Sequence, residues 1–432
     1  MVTDIRRNSN DTITVSFTFS PGKSMLKSEL NLQDASNKAN AIASGECLKQ
    51  HDTDGSPLYL GGQTLTSKGP ESKDYQTPYG PVSVERHTYQ RSSGGVTYCP
   101  MEIGARVVRT ATPLFAKQAS FKLGNMNSNA ANADFKEHGR HIARSYLQKI
   151  AADVASIITE KQDHWSYAPT AEEIGLGKRI KTIAIGADGT CGLFCNDGYR
   201  EIMVGTIALY GEDDERLHTI YVAEAPEYGK ATFFAKMDRE IAIIKARFPE
   251  ARVAGIADGA HSHWPWLEGH TTWQVVDFWH ATEYLGAVSK GMGRGKKQHE
   301  TWLEEACHRL KNEFGGAETL LSEMLGAREE VTKGARAEAL DKAISYFSNH
   351  LDRMNYSLHV AMGLPIGSGV TEAGCKTVVK QRMCGSGMKW QIPGAKQILS
   401  LRTMVLTPGR WEQLWEKVSQ FGFARISGPI SN

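Results

Sequence analysis

From Ile180 to His280 the chain writes three β-branched runs in succession, then one helical period, then two more apolar runs separated by a short tryptophan-rich segment. "IKTIAIGADG", "REIMVGTIALYG" and "RLHTIYVAE" are each bounded by Gly or acidic turns, the punctuation of strands joined by short hairpins. "KATFFAKMDREIAIIKARF" repeats Phe233, Met237, Ile241, Ile244 and Phe248 at helical spacing, and Pro249 closes it. "ARVAGIADG" and "WQVVDFWH" read as a fourth and a fifth strand. The order β-β-β-α-β-α-β leaves few options. Three hairpin-linked strands followed by right-handed crossovers into parallel strands build one mixed sheet with helices on its faces, an α/β fold.

That is the layout of a ribonuclease H-like core, with the first strand at the sheet centre beside the fourth. It would make neighbours of Asp188, expected at the end of strand one, and Asp258, at the end of strand four. One Asp-Gly at a strand end is ordinarily a turn. Two of them inside one topology, with Glu372 after "IGSG" on a helix that completes the core, ask for more. Three converging carboxylates raise one another's pKa, and hard divalent cations such as Mg²⁺ take oxygen ligands and relieve the repulsion. Two such ions roughly 4 Å apart can activate a water or a 3′-hydroxyl and stabilise the leaving oxygen of a phosphoryl displacement. The acids point to phosphodiester chemistry.

Around that core the sequence divides further. Residues 1–102 are rich in Gly, Ser, Asn, Thr and Pro, with turn signals such as "DTDGSP" and "TPYGP", and predict loops and short strands. Residues 103–160 turn helical. A break near Arg144 and Ser145, with Ser145 as cap, predicts a helix-turn-helix-like DNA-binding region or, equally, a plain helical hairpin. Residues 161–178, polar and containing Pro169, read as a linker, and 179–283 hold the first part of the core. Residues 284–360 carry only helix-forming runs and predict an inserted all-helical subdomain, with a basic loop at Lys290, Arg294, Lys296 and Lys297. Residues 361–432 complete the core. There Glu372, Lys376 and Lys380 fall on one helix face at i, i+4 and i+8.

A net charge of +2 does not declare a nucleic-acid partner, but its distribution is uneven. Residues 103–150 hold eight Lys or Arg, among them Lys136, Arg140, Arg144 and Lys149, against two acids. From Glu372 to Arg402 the basic residues are Lys376, Lys380, Arg382, Lys389, Lys396 and Arg402, against Glu372 alone. Two basic zones suit phosphate contacts at separate places, a solvated basic face being the ordinary alternative. The seven Cys form no C-x-x-C pair, so neither a disulfide framework nor a zinc ribbon is indicated. No apolar run approaches the roughly 18 residues of a membrane span, and the first residues lack a signal layout. A cytoplasmic protein without a membrane partner is expected.

"GADGT", "GIADGA", the D-x-x-H of "DFWH", and "PIGSGVTEAGCK" with "RMCGSGMKW" resemble the signatures of DDE transposases of bacterial insertion sequences, the ISKra group, kin to the Mutator-like superfamily. The likeness runs from about Tyr98 to Arg402 and includes "CPMEIGARVV" and "RLHTIYVAEAPEYGK". It implies that Asp188, Asp258 and Glu372 bind two Mg²⁺ or Mn²⁺ ions, and that Asp277 and His280 act beside them as the D-x-x-H pair. It also implies that Lys376 and Lys380, with Arg382 and Lys389 of the same basic stretch, face DNA. The implied partners are double-stranded DNA, both element terminal inverted repeats and target, and further copies of the chain in a synaptic complex at the bacterial nucleoid. Two other readings compete. Asp258, His261, His263 and His280 could ligate zinc in a metallohydrolase, or the chain could be a non-catalytic DNA-binding protein. The tryptophans Trp264, Trp266 and Trp273 are expected to be packing residues.

Overall fold

A computed structural model describes residues 2–259, 263–292, 295–331 and 333–423. The protein divides into two compact units, Met1–Trp165 with Ser400–Val405 and Trp411–Asn432, and Ser166–Leu399 with Leu406–Arg410. Its fold is mixed α/β. No helix among the described residues is long and apolar enough to cross a membrane.

The first unit opens on an antiparallel pair, β1 (Val2–Arg7) and β2 (Ile13–Phe17), followed by α1 (Met25–Lys49). Then come β3 (Leu58–Leu60), β4 (Gln63–Gln76), β5 (Pro81–Arg91) and β6 (Gly94–Tyr98), an antiparallel sheet in sequence order. The expectation of loops and short strands for 1–102 is corrected here. Helix α1 is 25 residues long and was hidden because its buried face is Ala35, Ala39, Ala41, Gly45 and Leu48, too small-sided to show a strong apolar period. Small residues are what the packing needs: Gly45 lies against Val82 and Val84 of the sheet. Ser24 caps the helix, accepting from Lys27 N.

Helices α2 (Pro100–Gly104), α3 (Pro113–Asn125), α4 (Ser128–Glu137) and α5 (Arg144–Lys161) complete this part of the unit. The break before α5 falls earlier than expected. Gly139, at φ +69°, turns the chain after α4, and α5 is entered through Ala143, so Ser145 lies inside the helix and caps nothing. The helices α3, α4 and α5 share a buried face of Phe115, Ala119, Phe135, Leu147, Ile150 and Val154.

In the second unit, the expected linker contains a helical turn, α6 (Ala171–Ile174), closed by a capping box between Thr170 and Glu173. The sheet follows, with β7 (Thr182–Phe194), β8 (Gly198–Tyr210) and β9 (Arg216–Glu224). After α7 (Ala231–Arg247) comes β10 (Arg252–Ala257), and after α8 (Trp264–His270) comes β11 (Trp273–Val276). The strand order is β11-β10-β7-β8-β9. β8 is antiparallel to both β7 and β9, while β10 is parallel to β7 and β11. Strand β7 runs on past Asp188, because its antiparallel register with β8 continues to Phe194 opposite Gly198, so Asp188 is not a strand terminus.

Period-two alternation sends successive β8 residues to opposite faces. Gly205 lies against Phe233 and Met237 of α7, and Thr206 meets the helix that carries Glu372 on the other face. Helices α9 (Phe278–Met292), α10 (Lys296–Asn312), α11 (Gly316–Glu330), α12 (Ala335–His350) and α13 (Tyr356–Ala361) form the expected helical stretch. It is not a subdomain with a core of its own. Leu310, Leu320, Leu340 and Phe347 join one hydrophobic cluster with Ile185, Ile207 and Val275 of the sheet, each such side chain stabilising by about 1.5–3 kcal/mol. Helix α14 (Gly369–Gly374) then widens into π-helix over Cys375–Lys380 before α15 (Gln381–Met383), α16 (Ile392–Leu406) and α17 (Arg410–Phe421). Glu372, Lys376 and Lys380 are all exposed, but the wider turn takes Lys380 off the i, i+4, i+8 line.

Candidate active site

The sheet register sets the site. β7 and β10 pair in parallel up to Gly186 opposite Ile256; Asp188 lies two residues further along β7, and Asp258 follows directly on the end of β10. The two acids are far apart in sequence, Asp188 within β7 and Asp258 just past the end of the adjacent β10. Their charges interact: burial first, and then the negative charge of Asp258, hold the Asp188 carboxyl above its ordinary pKa. The Gly189 amide opposes this by donating to Asp188 Oδ1 over 2.6 Å. The Cys375 thiol opposes it too, donating to Oδ2 over 3.6 Å. Burial and the Asp188 charge push that thiol up to about 12, so it remains a protonated donor.

Glu372 comes from the opposite direction. Thr371 and Thr206 join hydroxyls at 2.7 Å, and Gly186 lacks the Cβ that would strike Thr371, so α14 lies close on β7 and β8. One turn on, Cys375 carries the same helix to Asp188. The Glu372 carboxylate accepts from Ser368 Oγ at 2.7 Å. Among the described residues no group of three or more His, Cys, Asp or Glu side chains stands ready to hold a metal ion.

Asp277 is wholly buried. Its Oδ1 accepts from the backbone N–H of His280 at 2.8 Å, its Oδ2 accepts from the backbone N–H of Ser368, and its own N–H donates to Ala257 O at 2.8 Å. One residue thus ties the end of β10 through its backbone N–H, and the start of α9 and the turn that holds Glu372 through its carboxylate. Within the D-x-x-H pair the Asp277 oxygens meet backbone amides, that of His280 among them. The His280 imidazole pairs with Glu283 at 3.3 Å and is partly exposed.

The turn after Asp258 is fixed by α12. The Tyr346 hydroxyl donates to Asp258 O at 3.0 Å, and Gly259, at φ +104°, leaves no room for a Cβ beside the Tyr346 ring. His263 is 5% exposed, and among the described residues neither ring nitrogen has a hydrogen-bond partner. An unmet buried polar group ordinarily costs about 1–3 kcal/mol. Burial lowers the His263 pKa, Lys230 adds to the effect, and Asp258, Asp188 and Glu201 oppose it. Trp264 is buried under the Arg353 guanidinium at 4.7 Å, a packing role as expected. His261 and Arg294 lie outside the described residues.

The basic residues divide into surface and scaffold. Lys376, Lys380 and Lys389 are exposed, whereas Arg382 is buried over the Trp390 ring at 5.4 Å and offers no DNA-facing charge. In the first unit Lys136, Arg144 and Lys149 are exposed, Arg144 donating to Asn129 at 2.7 Å. Arg140 is the correction there. It is 4% exposed and donates to Pro78 O at 3.1 Å and Thr77 O at 2.9 Å, so it braces the chain before β5. Arg109 is likewise held by Asp153 and Lys122 by Asp134, which thins the basic face that the sequence counted.

Comparison with protein-family models and with curated proteins returns no match. The residues that sequence reasoning left without a site role are Ser368, Cys375 and Tyr346. Ser368 and Cys375 sit inside the quoted "IGSGVTEAGCK" string, which signalled them; Tyr346 reaches the site only through tertiary approach.

Proposed function

We propose that the protein is a DNA transposase of the DDE type, with a ribonuclease H-like core that cleaves and joins phosphodiester bonds at the ends of a mobile element. The observation that carries the reading is that β10 runs parallel to β7 in a five-stranded mixed sheet and leads into Asp258, whose charge acts on Asp188, with Glu372 on a helix whose Cys375 bonds to Asp188. The donor chemistry suits a hard cation, since Asp188 is held toward protonation by burial and by Asp258. Asp188, Asp258 and Glu372 would hold Mg²⁺ or Mn²⁺, two ions in all, which when bound supply an activated water or 3′-hydroxyl and neutralise charge on the phosphate.

The chain's own residues prepare this. Asp277 fixes the backbone of Ser368, so Glu372 can exchange the Ser368 hydroxyl for another partner without its helix moving. The Cys375 thiol, kept protonated, occupies one Asp188 oxygen as a donor and orients the carboxylate. Tyr346 holds the Asp258 turn. Lys376, Lys380 and Lys389 supply exposed positive charge beyond Glu372 for a DNA backbone, and Lys136, Arg144 and Lys149 do so in the first unit. Self-association in a synaptic complex, at the nucleoid, belongs to the same reading.

The test is strand cleavage and joining by the full chain on DNA carrying the terminal inverted repeats that flank its coding sequence. Activity is expected with Mg²⁺ or Mn²⁺, and Asp188→Asn, Asp258→Asn and Glu372→Gln should each abolish it while leaving the melting temperature and end binding in place. Near-normal cleavage by any one of the three variants would remove that residue from the assignment. Activity restored by zinc and not by Mg²⁺ would favour a metallohydrolase.

A further inference from the structure

Away from the acids, in the first unit, Leu114, Lys117, Gln118 and Phe121 fall at i, i+3, i+4 and i+7 and so share one face of α3. That face borders a cleft of about 240 Å³ whose far side is Trp411 and Glu412, in the first turn of α17. Leu114 and Phe121 are 48% and 43% exposed, so the apolar face is only partly covered. The buried Trp411 ring lies 6.2 Å from that of Phe121 and 5.8 Å from that of Trp415. Lys122 also lines the cleft but is held by Asp134, which leaves Lys117 and Glu412 as the charges at its edge. A cavity of about 150 Å³ walled by Leu and Phe already admits benzene. The cleft has room for one aromatic ring.

The same chain presents such a ring at the turn between α10 and α11. Phe314 is 88% exposed, the most exposed phenylalanine among the described residues. Its turn is firmly built. Gly315 sits at φ +72°, Gly316 has no room for a Cβ against Arg309 O, and Arg309 Nη2 donates to Glu323 Oε2 at 3.0 Å, tying the two helices. A side chain already held in place loses little freedom when a partner buries it. Beside it Lys311 and Glu313 are exposed and of opposite sign. The tip therefore carries one cation and one anion around a phenyl ring, and the cleft carries one anion and one cation around an apolar floor.

We propose that Phe314 of one copy of this chain enters the cleft between α3 and α17 of a second copy, with Glu313 meeting Lys117 and Lys311 meeting Glu412. The two surfaces differ, so the contact is head-to-tail and growth continues until a ring closes. One aromatic anchor with two ion pairs makes an interface below the standard size, so association is weak and concentration-dependent. The contact stands on its own surfaces; that it would bring element ends together rests on the function proposed above.

Sedimentation velocity of the full chain without DNA, across the micromolar range, tests the contact. The wild type should form species beyond the dimer as concentration rises. Phe314→Ser should raise the dissociation constant about thirtyfold, the scale of a buried aromatic anchor. Leu114→Glu, which sets a second carboxylate against Glu313, should do the same, with Gln118→Glu in its place if that variant does not fold. Mixed in equal amounts, the tip and cleft variants should form a one-to-one dimer and stop there, because each retains the surface the other lacks. Lys117→Glu should weaken association, and Glu313→Lys in the same chain should restore it. A wild type that is monomeric throughout, a Phe314→Ser chain that associates like the wild type, folded variants that do not combine, or a charge exchange without restoration would each overturn the contact. The two proposals fail separately. Association through this contact in a chain that cleaves no DNA with any metal keeps the contact and rejects the transposase. Metal-dependent cleavage by a chain whose Phe314→Ser variant associates unchanged does the reverse.

Discussion

At Asp277 the chain concentrates three backbone connections on one buried residue, two of them accepted by a carboxylate with no exposure. Replacing an oxygen by an amide there sets a donor against a donor. Asp277→Asn is therefore expected to lower the melting temperature and cleavage together, with a stability cost of about 3 kcal/mol, the scale of two hydrogen bonds to a charged group. His280→Ala should leave the melting temperature nearly unchanged, since its ring meets only Glu283 at a partly exposed site. Thermal denaturation of the two variants checks this, and an unaltered Asp277→Asn melt would contradict the bracing role. Asp188 and Asp258 were legible in the sequence because each follows an apolar run and precedes Gly, and Glu372 because it follows the Gly/Ser-rich "IGSG" turn. The role of Asp277 was not, because its second partner, Ser368, is 91 residues away and only the folded chain brings it near. The same holds for His263: its type was readable, its burial was not.

Between elements, the decisive approach is α14 onto β7 and β8, allowed by Gly186 and secured by Thr371 and Thr206. Gly186→Ala places a methyl against Thr371, and should reduce cleavage more than it reduces the melting temperature, because it displaces the helix carrying Glu372. Paired melting and single-turnover measurements distinguish this from general destabilisation. In the first unit the account separates scaffold from surface. Arg140→Ala should lower stability by removing donors to Pro78 and Thr77 carbonyls, with no change in the salt dependence of DNA binding by the chain that remains folded. Lys136→Ala and Lys149→Ala should leave stability alone and each reduce the slope of log affinity against log salt by about 1. Equal salt slopes in all three would return Arg140 to the DNA face. Strands β7 to β11 were readable because β-branched runs and Gly turns alternate there. Helix α1 was not, since Ala and Gly on its buried face leave no apolar contrast. The shared core of sheet and helical stretch was also hidden, because sequence shows which residues are apolar and not which cluster they join.

For the whole molecule, acid should act first through buried histidines. His359 is 3% exposed, and burial alone lowers its pKa to about 4, below the ordinary 6.5. The unfolded chain then binds the proton first, so the stability held by the neutral ring is present above pH 6.5 and is lost as pH falls toward 4. His359→Leu should flatten the melting temperature across that window relative to the wild type; parallel curves would show that other groups set the acid limit. In the function proposed above, carboxylates from β7, the turn after β10 and α14 form one ion-binding centre. Electron paramagnetic resonance of Mn²⁺ bound to the full chain, with a DNA duplex present, tests this most directly. Two ions per chain are predicted for the wild type, with loss of bound Mn²⁺ in Asp188→Asn and Asp258→Asn and reduced occupancy in Glu372→Gln. Mn²⁺ binding that is undiminished in the Asp188→Asn, Asp258→Asn double variant, or absent from the wild type, would contradict it.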